Sequence, residues 1–71
     1  MKEKLKLISV LESEKERLDK FGFDTHGHFL TIDFLKTGTY ACDPKELRFY
    51  PLLEAAIDDY ENLLLEYEIQ E

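Results

Sequence analysis

A chain of 71 residues is about half as long as a typical domain, so we expect one domain, residues 1–71, with a small core. The net charge of −7 argues against direct binding to nucleic acid, and the 44% of hydrophobic residues argues against a disordered acidic chain. The single cysteine, Cys42, excludes an intramolecular disulfide, and no segment resembles a signal peptide or a membrane span, so we expect a cytoplasmic protein.

The first segment, residues 2–20, has the pattern of an amphipathic helix. Its apolar residues recur at intervals of 4, 7 and 3 residues, at Leu7, Leu11, Leu18 and Phe21. Gly22 then stands where the residue after a helix is commonly glycine. An alternative makes residues 4–10 a short strand, because KLKLISV begins with a period of two. We prefer the single helix.

Residues 23–42 are aromatic, β-branched and glycine-containing. In the sequence FLTIDFL, residues 29–35, polar Thr31 and Asp33 alternate with apolar Ile32 and Phe34, as in a half-buried strand. Gly38 precedes a second short run at residues 39–41. The pattern predicts a β-hairpin with a turn at Gly38, which helices or the strands of another chain must cover.

Two prolines divide the remaining chain. Asp43 and Pro44 have the residue types of a helix N-cap and first helical position, with Glu46 completing a capping box. Pro51 disfavours helical geometry at Tyr50, so we predict a break there and a second, longer helix over residues 51–69. The predicted fold class is α+β, comprising an N-terminal helix, a β-hairpin, a short helical turn and a long acidic C-terminal helix.

The net charge comes entirely from the last third of the chain. Residues 1–42 carry seven basic and seven acidic residues, and residues 43–50 carry two of each. Residues 51–71 contain no Lys or Arg and seven acids, namely Glu54, Asp58, Asp59, Glu61, Glu66, Glu68 and Glu71.

A helix with acids alone on its polar face is electrostatically unfavourable. Like charges three or four residues apart repel, and acids near a helix C-terminus oppose the helix dipole. On a straight helix Glu54, Asp58 and Glu61 rise by about 6 and about 4.5 Å, a spacing comparable to the phosphates of a DNA strand. We therefore predict a partner-binding surface made of Glu54, Asp58, Asp59, Glu61, Leu65, Glu66 and Glu68.

Two apolar residues, Leu65 and Ile69, fall within the acidic half of the predicted helix. Apolar residues inside a charged rim commonly mark a contact surface. They would form the seam of a homodimer or contact the target, unless the end of the helix folds back onto the hairpin.

Catalytic and metal-binding patterns are weak. Asp24, His26 and His28 have residue types that bind transition metals, but Gly27 between the histidines favours a turn, so we expect a polar loop and no metal site. Cys42 has no histidine near it in sequence, and we expect a small buried apolar side chain there. No nucleophile elbow or phosphate-binding loop is present, and we expect neither enzymatic activity nor a cofactor.

In its size and its base-free helix from Pro51 to Glu71, the chain resembles the small acidic DNA-mimic inhibitors of bacteriophages. That resemblance implies an inhibitor for host takeover that blocks the DNA-binding site of a basic host protein, such as a histone-like nucleoid protein. The alternative is a non-enzymatic protein–protein interaction or regulatory module that uses the hairpin edge or the Leu65/Ile69 patch.

Overall fold

The computed structural model describes residues 2–69 and shows four α-helices and one 3-10 helix. The helices are α1 (Lys2–Lys20), α2 (His26–Thr37), α3 (Pro51–Asp58) and α4 (Tyr60–Glu66), and the 3-10 helix is Pro44–Phe49. No strand occurs within this range, so the predicted α+β class is wrong and the described chain is all-helical. Glu71, counted in the sequence charge, lies outside the described residues.

Helix α1 confirms the preferred interpretation of the N-terminal segment, and the alternative strand at residues 4–10 is wrong. Leu7, Ile8 and Leu11 are buried along one face of α1. Of the other predicted core positions, Leu18 is half-buried and Phe21, just beyond the helix, is exposed.

The end of α1 is a Schellman motif centred on Gly22. The Gly22 N–H donates to the Asp19 carbonyl and the Phe23 N–H donates to the Leu18 carbonyl, both at 3.1 Å. Gly22 has a φ of 80°, a conformation that costs glycine little. The glycine therefore ends α1 as its position predicted.

Helix α2 replaces the predicted β-hairpin. Its buried residues are Leu30, Thr31, Ile32 and Leu35, which cover two adjacent helical faces. The Thr31 hydroxyl, fully buried, donates to the Gly27 carbonyl at 2.7 Å, which satisfies a polar group inside the core. Gly38, predicted as a hairpin turn, instead ends α2 with a φ of 81° and donates its N–H to the Phe34 carbonyl.

The two proline positions act as predicted. The Asp43 carboxylate accepts a hydrogen bond from the Lys45 N–H at 2.9 Å, which caps the 3-10 helix that Pro44 begins. Tyr50, at φ −128° and ψ 73°, separates this helix from α3, which begins at Pro51. Cys42, in the connection before Asp43, is half-buried.

The predicted continuous helix over residues 51–69 is wrong, because the chain breaks at Asp59. Asp59 has φ −148° and ψ 74°, outside the helical region. Its carboxylate accepts a hydrogen bond from the Asn62 N–H at 3.1 Å, so Asp59 caps α4. The break divides the acidic segment into two short helices.

Helix α2 lies at the centre of the fold and packs against α1 and α3, while α4 packs against α3. The core that they share is aliphatic, and its main cluster consists of Leu7, Ile8, Leu11, Ile32, Leu35, Ala56 and Leu63. Within residues 2–69, no helix is both long enough and apolar enough to cross a membrane.

Candidate protein-binding surface

All seven residues predicted to bind a partner are exposed. Glu54 and Asp58 lie on α3, Asp59 at the break, and Glu61, Leu65 and Glu66 on α4. Glu68 follows the end of α4. We call these seven residues the acidic surface. Because only Asp59 separates α3 from α4, all seven lie on one continuous part of the chain.

The linear spacing predicted for these acids does not exist. Glu54 and Asp58 are four residues apart on α3 and keep an axial separation of about 6 Å. Glu61 belongs to a different helix, and the break at Asp59 changes its direction relative to α3. The straight row of charge inferred from a single helix is therefore wrong, and the acids occupy two short helices joined by a bend.

The acids of this surface have no basic partners. Among residues 2–69, no ion pair involves Glu54, Asp58, Glu61, Glu66 or Glu68, and the Asp59 carboxylate accepts only from the Asn62 N–H. The negative charge of the acidic surface is thus uncompensated by the rest of the described chain.

The acids of α1 are in a different situation. Asp19 pairs with Lys15 at 2.8 Å, Glu12 with Lys36 at 3.6 Å, and Glu14 with His28 at 2.7 Å. The hydrogen bonds from Lys15 and from the Thr25 hydroxyl hold the pKa of Asp19 below its ordinary value. Several acids of α1 therefore have a basic side chain beside them, whereas the acids of α3 and α4 have none within the described chain.

The two apolar residues of the predicted patch differ in environment. Leu65 is 66% exposed and stands among the acids of α4. Ile69 is half-buried and packs against the main core cluster, and its N–H donates to the Leu64 carbonyl. The predicted Leu65/Ile69 patch thus reduces to Leu65, while Ile69 folds back onto the helical core.

The end of α4 is fastened to α1 through Tyr67. Its hydroxyl makes a long hydrogen bond of 3.5 Å to Glu14 Oε1, the atom that also lies 2.7 Å from His28 Nε2. Burial, together with the carboxylates of Glu14 and Glu66, raises the pKa of Tyr67 to about 12. This contact adds to the core packing of Ala56 and Leu63, which holds α3 and α4 against the rest of the molecule.

Asp24, His26 and His28 were predicted to lie in a polar loop. The two histidines instead lie in the first turn of α2, and Asp24 precedes that helix. The Asp24 carboxylate accepts from the His26 N–H at 3.0 Å, and the His26 ring lies edge-on to Tyr50 at 5.4 Å. His28 faces Glu14. Among residues 2–69, no group of three His, Cys, Asp or Glu side chains is arranged to hold a metal ion.

Exposed aromatic side chains are a feature that was not predicted from the sequence. Four phenylalanines, Phe21, Phe23, Phe29 and Phe49, are more than half exposed. The signal available in the sequence was their clustering, because three of them fall within residues 21–29, next to the glycine that ends the first helix.

No protein family matches this sequence, and comparisons with curated proteins and with solved structures find no match either.

Proposed function

We propose that the protein is a non-enzymatic acidic binding protein that acts as a DNA mimic. In this proposal the acidic surface occupies the DNA-binding site of a basic protein, for example a histone-like nucleoid protein. The observation that carries the proposal is the absence of any basic partner for the acids of α3 and α4 within the described chain.

The cost of this arrangement to the protein itself supports a role in binding. Glu54 and Asp58 repel each other at a spacing of four residues, by a few tenths of a kcal/mol. Glu66 and Glu68 stand at the C-terminal end of α4, where negative charge opposes the helix dipole. A basic partner would remove both penalties, so part of the binding free energy would come from relief of repulsion within the unbound protein.

The exposure of the acids supports the same partner chemistry. The field of exposed carboxylates extends over a Debye length of about 8 Å at physiological salt, which accelerates encounter with a basic surface. Leu65, exposed among these acids, would supply apolar contact once the surfaces meet. Electrostatic attraction would thus bring the two proteins together, and one apolar side chain would add contact area in the complex.

A competition assay with defined components tests the proposal. A purified histone-like nucleoid protein bound to fluorescent duplex DNA is titrated with this protein while fluorescence anisotropy is recorded at several salt concentrations. We expect displacement of the DNA, with an apparent affinity that falls at least about tenfold between 50 and 300 mM NaCl.

Charge-reversal variants distinguish binding through the acidic surface from binding that is driven by net charge alone. The triple variant Glu54→Lys, Asp58→Lys, Glu61→Lys should lose the ability to displace DNA. A control with the same change of net charge, Glu12→Lys, Glu16→Lys, Glu46→Lys, alters exposed acids elsewhere and should retain it. Equal loss in both variants would show that net charge alone drives binding, and retention in the first would refute the acidic surface as the site.

A second candidate function rests on the exposure of Leu65. In this case the protein is a protein–protein interaction module whose α4 contacts a partner chiefly through apolar burial. The hairpin edge considered from the sequence plays no part, since residues 29–35 are helical. Leu65→Glu should then weaken binding more than the acidic triple variant does, and salt should have little effect.

A further inference from the structure

Aromatic side chains are concentrated on the segments next to the N-terminal end of α2. Phe21 and Phe23 lie in the α1–α2 connection, His26 and Phe29 in the first turns of α2, and Phe49 and Tyr50 at the end of the 3-10 helix. We call these six residues the aromatic corner. We propose that a second copy of this chain covers the aromatic corner, giving a homodimer.

Four of the largest apolar side chains are mostly exposed in one copy of the protein. In the described chain the buried hydrophobic residues are leucines, isoleucines and one alanine, and none is aromatic. Phe21 is 72% exposed, Phe23 62%, Phe29 52% and Phe49 64%. A short chain has little core to stabilise it, so leaving its best core material in water is unfavourable unless another surface covers it.

The members of the corner are held together by contacts and by chain connection. The His26 ring stacks on Phe29 with centroids 6.3 Å apart and meets Tyr50 edge-on at 5.4 Å. Phe49, next to Tyr50, carries the Arg48 guanidinium 4.9 Å above its ring. The Thr25 hydroxyl binds Asp19 across the α1–α2 connection, and this tie fixes the segment that bears Phe21 and Phe23.

The exposed area matches what a stable dimer needs. At about 200 Å² for a fully exposed ring, the four phenylalanines together present on the order of 500 Å². A standard interface buries about 800 Å² on each partner, of which about 65% is apolar in homodimers, or roughly 500 Å². The corner is also as large as the largest apolar patches that soluble monomers leave exposed.

The charge near the aromatic corner allows a second copy to bind there. The acidic parts of the molecule would instead repel a second copy. Residues 20–29 and 44–50 carry three basic residues, Lys20, Lys45 and Arg48, against two acidic ones, Asp24 and Glu46. The corner is thus nearly neutral in a chain of net charge −7. Two copies that meet through the corner bring little net charge together there, and salt screens the repulsion between the rest of the two chains.

Sedimentation velocity of the full chain at 150 mM NaCl, from about 1 to 500 μM, tests the proposal. We expect a mass near twice 8.4 kDa at the upper concentrations. The double variant Phe29→Glu, Phe49→Glu should weaken dimer formation at least about 100-fold, because each dimer would bury four added carboxylates. Leu65→Glu is the matched control, since Leu65 is 66% exposed and Phe49 64%, and it should remain dimeric.

A measurement on the unaltered protein covers the case in which the double variant fails to fold. In a mixture of isotope-labelled and unlabelled chains, we expect filtered NMR spectra to show intermolecular contacts to the rings of Phe21, Phe23, Phe29 and Phe49. A monomer at every concentration would overturn the proposal. A dimer whose intermolecular contacts come from α4 would also overturn it. The same holds for a dimer that is dissociated by Leu65→Glu but not by the double phenylalanine variant.

Discussion

Among residues 2–69, three residues with positive φ follow the ends of helices, and they are two glycines and one glutamate. Gly22 and Gly38 have φ values of 80° and 81°, whereas Glu68 has 54°. Around Glu68, the Glu68 N–H donates to the Leu65 carbonyl and the Ile69 N–H to the Leu64 carbonyl, the pattern found around Gly22. A side chain in this conformation costs about 1 kcal/mol, so Glu68 holds a position suited to glycine.

Replacing this residue should stabilise the protein. Glu68→Gly removes the steric cost and the negative charge at the end of α4, and we expect the free energy of unfolding to rise by about 0.5–1 kcal/mol after the greater flexibility of unfolded glycine is included. Urea denaturation followed by circular dichroism measures it. Glu68→Gln, which removes only the charge, should gain about 0.3 kcal/mol. A glycine variant less stable than the glutamine variant would contradict the backbone conformation.

Glycine in the sequence predicted where the chain adopts a positive φ, but it did not predict whether a helix or a strand ends there. Gly22 was predicted to end a helix and does so. Gly38 was predicted in a hairpin turn, and the structure uses the same left-handed conformation to end α2. A hairpin turn and a helix C-terminus both require positive φ, so the residue alone could not distinguish them.

At the scale of elements, α2 shows why the predicted hairpin failed. Residues 29–35 are a short, mostly apolar run, and such a run fits a buried strand or a buried helix equally well by periodicity. Leu30, Thr31 and Leu35 fall on one helical face, and α2 buries that side between α1 and α3. Tertiary packing on two sides outweighs the β preference of Thr31 and Ile32.

The break at Asp59 was missed because no proline or glycine marks it. Asp59 interrupts an otherwise helical pattern by capping the second helix with its own carboxylate, a role that aspartate fills well. Sequence analysis placed all seven acidic-surface residues on an exposed face, and the structure confirms their exposure. It could not place them in space, because their relative directions depend on this one backbone conformation.

The cap at Asp59 gives a prediction for α4. Asp59→Ala removes the acceptor for the Asn62 N–H from a helix of only seven residues, and we expect a loss of about 1 kcal/mol in the free energy of unfolding. Asp59→Asn keeps an acceptor and removes the charge, so it should stay within about 0.5 kcal/mol of the unaltered protein. Chemical denaturation compares the three, and equal destabilisation by both substitutions would contradict the capping role.

At the scale of the whole molecule, one carboxylate joins three parts of the chain. Glu14 of α1 binds His28 of α2, 14 residues away, and accepts from Tyr67 beyond α4, 53 residues away. Nothing in local sequence predicts pairs at such separations, since they exist only once the helices have packed. The acidic surface keeps its position through this contact and the core residue Leu63.

Tyr67 makes the stability of the whole molecule sensitive to alkali. Its pKa is raised to about 12 in the folded protein, from 10.0, so the folded state favours the neutral hydroxyl. The resulting stabilisation is complete below pH 10 and is lost as the pH rises through about 12. Because Tyr67 is only half-buried, solvent screening limits the effect to about 1 kcal/mol.

Unfolding free energies of the unaltered protein and of Tyr67→Phe between pH 8 and pH 12 measure this contribution. The phenylalanine variant cannot ionise at this position, so its stability should fall less than that of the unaltered protein over the same range. Tyr60→Phe is the comparison, since burial raises the pKa of Tyr60 as well, so this variant should also lose less stability than the unaltered protein, but by a smaller amount than Tyr67→Phe. Parallel curves for the unaltered protein and Tyr67→Phe would contradict a raised pKa of Tyr67 in the folded protein, and with it the burial of the Tyr67 hydroxyl against the core beside Glu14.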